Sequence, residues 1–321
     1  MEKNLFTPVL LLAFNRPEKT RLVFESIRTV KPKKLYVAID GPRDGRTDDI
    51  IKSKQIKDIV KNVDWECETH YLFHEKNLGC SLSGYTAWKW VFEHESRFIF
   101  IEDDGLGNPS AFYFIQDMLE KYADDDRIAY VGGVNYGPKF GNASYFFSRL
   151  PSATYFMGTW KRVFEKYEYN LESYPNIFTK KTFRKNFLSV CEYICVCNNL
   201  DLYYKSTLNG KRMNTYDQQM IYLSYKYNMY SIYPNINMVS NIGLDDGANN
   251  HTDKNDPFYK EYGNRIRFEL NEIKYIDTFN INKKFEVSFF KKRYLYNKNT
   301  FKATIIAILS ITKRHLKYLF K

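Results

Sequence analysis

Phe98-Ile99-Phe100-Ile101-Glu102-Asp103-Asp104 decides how this chain reads. Four apolar residues of strand length stop abruptly on three carboxylates. Working outward, Val9–Phe14 is an earlier apolar run, Leu35–Ile39 a second that ends at Asp40-Gly41, and Thr69–Phe73 a third. Helical spacing separates them. Pro17 suits a first helical turn, and Val23, Ile27 and Val30 recur behind it. A second helix runs through Ile51–Val60, and Leu82, Tyr85, Trp88 and Phe92 mark the face of a third. Pro109 opens a fourth helix with Phe112, Ile115 and Leu119 inward, and Ile128–Val131 is another short strand. Strand–helix–strand alternation predicts an α/β fold, a Rossmann-like, mostly parallel sheet flanked by helices.

After Asn135 the pattern changes and an α-rich half is expected. Helices are predicted over Trp160–Tyr167, Lys180–Asn198 and Tyr216–Tyr227, a strand over Met229–Ile232, and a polar loop over Gly243–Asp256. No internal repeat or low-complexity linker divides the chain, so one domain is expected to about residue 280, with halves 1–135 and 136–280. The charge is uneven. The 48 Lys and Arg against 37 Asp and Glu give +11, and 281–321 alone carries 11 basic residues and one acid, Glu286. The body is therefore near neutral with a basic tail, and no nucleic-acid motif accompanies the charge.

Lys291, Lys292, Arg293, Lys298 and Lys302 precede Ile305, Ile306, Ile308, Leu309 and Ile311. This pattern reads as an interfacial helix on an anionic membrane surface, or as a last helix packed on the domain with solvated lysines. No apolar run approaches the roughly 18 residues of a spanning helix, and no signal peptide is read at the N-terminus. Five irregularly placed cysteines suit a reducing compartment. A cytoplasmic protein is expected, peripheral on the cytoplasmic face of the inner membrane. Cys191, Cys195 and Cys197 lie in an apolar stretch without a fourth ligand, so packing is expected of them rather than metal.

Open α/β sheets bind ligands beyond the carboxyl ends of their strands. Four strand ends carry polar residues: Asn15-Arg16, Asp40-Gly41, His74–Asn77 and Glu102-Asp103-Asp104. Adjacent carboxylates repel, and a divalent cation relieves that cost. Hard oxygen ligands suit Mg2+ or Mn2+, shared with a ligand's phosphates; a solvated acidic turn is the other reading. Lys76 and Asn77 meet phosphates or simply form an exposed turn. Asp124-Asp125-Asp126, between a helix and a strand on the opposite edge, reads as a solvated turn. Thr215-x-x-Gln218 reads as a capping box opening a helix, and the positive end of that helix favours a carboxylate at Asp217.

Taken in order, these segments resemble GT-A-fold glycosyltransferases, especially the bacterial group similar to N-acetylglucosaminyltransferase I. The likeness rests on Pro8–Pro17, Asn77-Leu78-Gly79-Cys80, Phe98–Asp104, Asn108-Pro109-Ser110, Gly158-Thr159-Trp160, Ser231–Asn235, Val239–Gly243 and His251-Thr252. The resemblance implies a metal-dependent transferase that moves a sugar from a nucleotide-sugar donor, a UDP-sugar first among candidates, to a saccharide or lipid-linked acceptor. It further implies inversion and a place in surface polysaccharide synthesis. Asp104 matches the metal ligand, Asp103 the residue nearest the ribose and metal water, and Asp40 the carboxylate that reads the nucleoside. Arg16 matches a donor contact, and His251 a histidine near the metal or pyrophosphate, whose nitrogen would favour Mn2+. Asp217 matches the catalytic carboxylate; a simple first-turn acid is the other reading. Gly158 and Trp160 fall where acceptor contacts are expected, and Trp160 reads equally as a core aromatic.

Gly105 and Gly107 stand where that group carries bulkier residues, which predicts a looser segment beside the metal. Two other functions stay open. A sugar nucleotidyltransferase normally needs a glycine-rich loop after its first strand, and Ala13–Pro17 has no glycine. A non-catalytic relative would bind glycan or membrane as an assembly module.

Overall fold

The computed structural model describes residues 4–135, 137, 139–151, 154–178, 180–188, 190–210, 215–244, 265–288 and 309; of the side chains of 190, 191, 194 and 195 nothing is described. The first half follows the expected alternation: β1 Val9–Ala13, α1 Pro17–Val30, β2 Lys34–Ile39, α2 Thr47–Val60, β3 Glu68–Phe73, α3 Cys80–Phe92 and β4 Arg97–Glu102. A short β5 Gly105–Gly107, α4 Pro109–Lys121 and β6 Ile128–Gly132 follow. The second half holds β7 Tyr145–Ser148, β8 Phe156–Trp160, α5 Lys161–Phe164, α6 Tyr174–Ile177, α7 Lys181–Arg184, α8 Val190–Leu208, α9 Asp217–Tyr227, β9 Tyr230–Pro234 and β10 Val239–Asn241.

Among the described residues the central sheet has the order β3-β2-β1-β4-β8-β6-β9-β7. Strands β1 to β4 pair in parallel, as do β6 and β9, while β8 runs antiparallel to β4 and β6, and β7 antiparallel to β9. The fold is the expected mostly parallel α/β sheet flanked by helices. Strand β1 is buried along its whole length, and β4 is buried from Phe98 to Ile101, which explains their unbroken apolar runs. Leu12 lies opposite Glu102 in the β1–β4 register, so the acidic triplet emerges beside the loop after β1.

Local chemistry sets the helix entries. Pro17 and Pro109 occupy first-turn positions, where a missing N–H costs nothing. The Asn108 side chain accepts from the Ala111 N–H at 3.2 Å and closes the start of α4. Helix α1 buries Val23, Phe24, Ile27 and Val30 against the sheet, the spacing visible in the sequence.

Three expectations are corrected. Trp160 ends a strand instead of opening a helix, and only Lys161–Phe164 is helical behind it. All of β8 is buried between β4 and β6, so its backbone groups are satisfied by ladder bonds on both sides. The helix expected over Lys180–Asn198 divides into α7 and α8, because the chain between them is held from outside. The Asn186 carbonyl accepts from Arg149 at 2.6 Å, and the Asn186 amide donates to the Tyr225 carbonyl at 2.7 Å. Residue Met229 precedes β9, which runs on to Pro234. Strands β5, β7 and β10 have no counterpart in the sequence reading.

The α-rich half has its own core, in which Tyr174, Phe178, Tyr203, Tyr222 and Tyr225 are buried together. The start of the basic segment packs on the sheet edge. Ile281 bridges to Phe147, and Phe285 is buried against Phe146 and Tyr233. The lysine-rich and isoleucine-rich stretch beyond it, apart from residue 309, lies outside the described residues. Among the described residues no helix is long and apolar enough to cross a membrane.

Candidate active site

The carboxyl ends of β1 and β4 bring together the residues that matter most. Arg16 precedes α1 and reaches both aspartates of the triplet. Its Nη1 donates to Asp104 Oδ2 at 2.8 Å, and its Nη2 pairs with Asp103 Oδ1. The other Asp103 oxygen accepts from the Phe14 N–H at 3.2 Å. Desolvation works against the charge on Arg16, but Asp103, Asp104 and Glu102 outweigh it and hold the guanidinium more firmly protonated than usual. Burial raises the pKa of Asp104, and Arg16 offsets part of that rise.

The β5–β10 pair folds a second piece of chain over this centre. Gly105 lies opposite Asn241, and the Ile242 N–H donates to the Asp104 carbonyl at 2.9 Å. Gly243 then passes so close that a Cβ there would overlap the Asp104 carboxylate and stand 2.8 Å from Arg16 Nη1. Gly105 and Gly107 do not loosen the segment, contrary to expectation. A Cβ on Gly105 would run into the Tyr155 carbonyl, and one on Gly107 would meet the Phe156 ring at 2.6 Å. These glycines allow close packing of backbone on β8.

Asp217 opens α9. Its charge, with that of Asp104, raises the pKa of Glu102, after burial as the largest cause; Glu102 lies well above the ordinary carboxylate range. Burial and these same acids also push up the Cys80 thiol at the start of α3, which keeps it in the unreactive protonated form. The anticipated capping box is not closed. Thr215 Oγ1 accepts from the Asp217 N–H at 3.1 Å, while the Gln218 side-chain oxygen is buried without a partner among the described residues.

Asp40 stands just after β2. Its two oxygens accept from the N–H groups of Gly41, Leu78 and Gly79 and from the Asn77 amide, at 2.8 to 3.0 Å. Four donors use the lone-pair directions of a carboxylate, so this buried group ties the β3–α3 loop to β2. Asn77 also donates to the Gly41 carbonyl at 3.0 Å and belongs to that tie. Lys76 is exposed, and its backbone abuts Gly41. Asn15, beside Arg16, donates to Asp49 at 2.8 Å, where Arg43 binds the same carboxylate.

Gly158 and Trp160, where acceptor contacts are expected, both lie in the interior, and for Trp160 this is the core reading the sequence also allows. Trp160 is 3% exposed, its indole N–H donates to the Leu119 carbonyl at 3.1 Å, and Arg162 covers its ring. A Cβ on Gly158 would stand 2.5 Å from the Ile115 side chain. Both residues serve the packing of α4 on β8. His251 lies outside the described residues.

The site's capacity for a divalent ion is read from its oxygens. Among the described residues no three His, Cys, Asp or Glu side chains group to enclose a metal. Asp104 Oδ1, however, is buried and has no hydrogen-bond partner among them. One hard oxygen fits an ion that takes most of its ligands from water and substrate phosphates.

Sequence reading missed the part played by Tyr216. Its hydroxyl donates to Glu102, and its ring lies 5.5 Å from that of Trp88 and 5.9 Å from that of Phe100. The available signal was its place immediately before Asp217.

No protein-family model matches the chain. No curated protein matches it either. Solved structures overlap it shallowly. A 4-diphosphocytidyl-2C-methyl-D-erythritol synthase from Anaerococcus prevotii is 12% identical, covers 70% of this chain and 96% of its own, with a TM-score of 0.34. An apo UDP-glucose pyrophosphorylase is 12% identical over 70% of this chain and 98% of its own, with a TM-score of 0.33. HddC from Yersinia pseudotuberculosis is 12% identical over 50% and 80%, with a TM-score of 0.32. Overlaps of this depth carry no argument about chemistry.

Proposed function

We propose that the chain is a glycosyltransferase of the GT-A type, moving a sugar with inversion from a nucleotide-sugar donor to a saccharide or lipid-linked acceptor. The observation that carries the reading is the Arg16–Asp103–Asp104 cluster at the carboxyl ends of β1 and β4, together with the bond from Tyr216, the residue before Asp217, to Glu102 at the end of the same β4. A donor-side acidic centre and a separate carboxylate at a helix start are what transfer to an acceptor hydroxyl requires. Asp217 takes the proton of that hydroxyl as its oxygen bonds to the sugar carbon, and the sugar–phosphate bond breaks with its electron pair on the diphosphate. Asp104, through its free buried oxygen, would hold Mn2+ or Mg2+, which supplies Lewis-acid neutralisation of the departing charge. Asp103 and Arg16 keep the Asp104 carboxylate in place.

A second reading, a sugar nucleotidyltransferase, is the class to which the names of the overlapping solved structures belong. Against it, the loop after β1 offers no glycine, and its Arg16 is engaged by Asp103 and Asp104. A panel of UDP-, GDP- and CMP-sugars, with and without Mn2+, tests the proposal. Metal-dependent release of nucleoside diphosphate, abolished by Asp104→Ala, supports transfer. Pyrophosphate release from a nucleoside triphosphate and a sugar 1-phosphate selects the second reading, and failure to bind any nucleotide overturns both.

The surplus of lysine and arginine in 281–321 supports attachment to an anionic membrane face. Deleting 300–321 is expected to shift the chain to the soluble fraction of a lysate; unchanged fractionation rejects attachment.

A further inference from the structure

We infer that Tyr216 is a positioning residue, which fixes the start of α9, and with it Asp217, against the acidic end of β4. The inference rests on the transfer reading above. Three contacts hold Tyr216 from different elements. Its hydroxyl donates to Glu102 at the end of β4. Its ring is 2% exposed and packs beside Trp88 of α3 and Phe100 of β4. Its carbonyl accepts from the Tyr167 hydroxyl at 3.4 Å.

The slot is tight. A Cβ on Gly84 of α3 would stand 3.0 Å from the Tyr216 ring. The next residue in the chain is Asp217, so any displacement of the Tyr216 backbone carries the start of α9 with it. Proton transfer tolerates little such movement, because the base must stand within hydrogen-bond reach of the hydroxyl it deprotonates. The donor side does not depend on the tyrosine in the same way, since Asp103 and Asp104 are set by Arg16 and by the Phe14 and Ile242 N–H groups.

Tyr216→Phe removes the hydroxyl, and Gly84→Ala pushes the ring while favouring α3 by helix propensity. Each is expected to lower kcat for transfer by about 10- to 100-fold, with the donor KM and the melting temperature little changed. Tyr216→Phe is expected to add nothing on a Glu102→Ala background, the signature of two groups that act together. Hydrogen exchange at the first turn of α9 should quicken in both single variants. Unchanged kcat and exchange in both overturn the inference. So does a parallel loss of donor affinity and melting temperature, which marks a merely structural tyrosine. A wild-type chain inert with every donor sinks the transfer reading instead, and the exchange comparison then still decides whether Tyr216 secures α9.

Discussion

Gly243 lies against Asp104 so closely that the loop after β10 forms a wall of the acidic centre. Gly243→Ala therefore has to displace either its own backbone or the Arg16–Asp104 pair. Gly243 lies outside the positive-φ residues, so the cost comes from space and not from backbone strain. Donor affinity in the presence of Mn2+ should fall by roughly tenfold or more, a disturbance of about 1.4 kcal/mol. Calorimetric titration of the nucleotide into both proteins measures it. Equal affinities would place the donor away from Asp104.

Asp217→Asn keeps the size of the side chain and removes its basicity. Transfer should fall by about 100- to 10,000-fold, the usual worth of general base catalysis, while the donor dissociation constant holds. Single-turnover rates alongside equilibrium binding separate the two effects. Surviving turnover would put the base elsewhere or point to retention of configuration.

Trp160→Ala is expected to act on stability and not on acceptor use. Removing a buried tryptophan typically costs about 3–5 kcal/mol, and here it also removes the shorter of two side-chain hydrogen bonds to the Leu119 carbonyl, the other coming from Arg97. Urea denaturation should show that loss. A raised acceptor KM with an unchanged midpoint would instead restore the sugar-stacking role.

Much of this was legible in the sequence for a physical reason. Strands buried on both faces leave unbroken apolar runs, and Val9–Ala13 and Phe98–Ile101 are such runs. The strand-end rule then located Arg16, Asp103 and Asp104, which the structure brings into contact. Strand β8 was hidden because Gly158-Thr159-Trp160 lacks the apolar continuity of its neighbours, and its glycine reflects the side chains of α4. The tie between Asp40 and Leu78–Gly79 was hidden too, since a carboxylate that accepts backbone N–H groups leaves no trace in composition. The Tyr216–Glu102 contact spans 114 residues, and no local pattern records a pairing of that range.

Acidity should reveal one more buried group. Glu286 is 3% exposed, its Oε1 accepts from Ser148 Oγ at 3.2 Å and from the Arg149 N–H, and its Oε2 has no hydrogen-bond partner among the described residues. Burial, with a smaller push from Glu192, raises its pKa from 4.5 to about 7. The folded chain therefore holds a proton that the unfolded chain has already lost across this interval. The corresponding stability is fully present below about pH 4.5 and drains away as pH climbs through 7, by about 3 kcal/mol in all. Asp49 works in the opposite direction. Arg43 holds its pKa down, so its contribution is complete above the ordinary carboxylate value and is lost as pH falls below that value toward the group's own lowered pKa. Urea midpoints at several pH values between 5 and 8 should decline for the wild type and stay nearly level for Glu286→Gln. Parallel profiles for the two proteins would show that Glu286 is already charged when folded, and that Ser148 and Arg149 suffice to keep a carboxylate in that site.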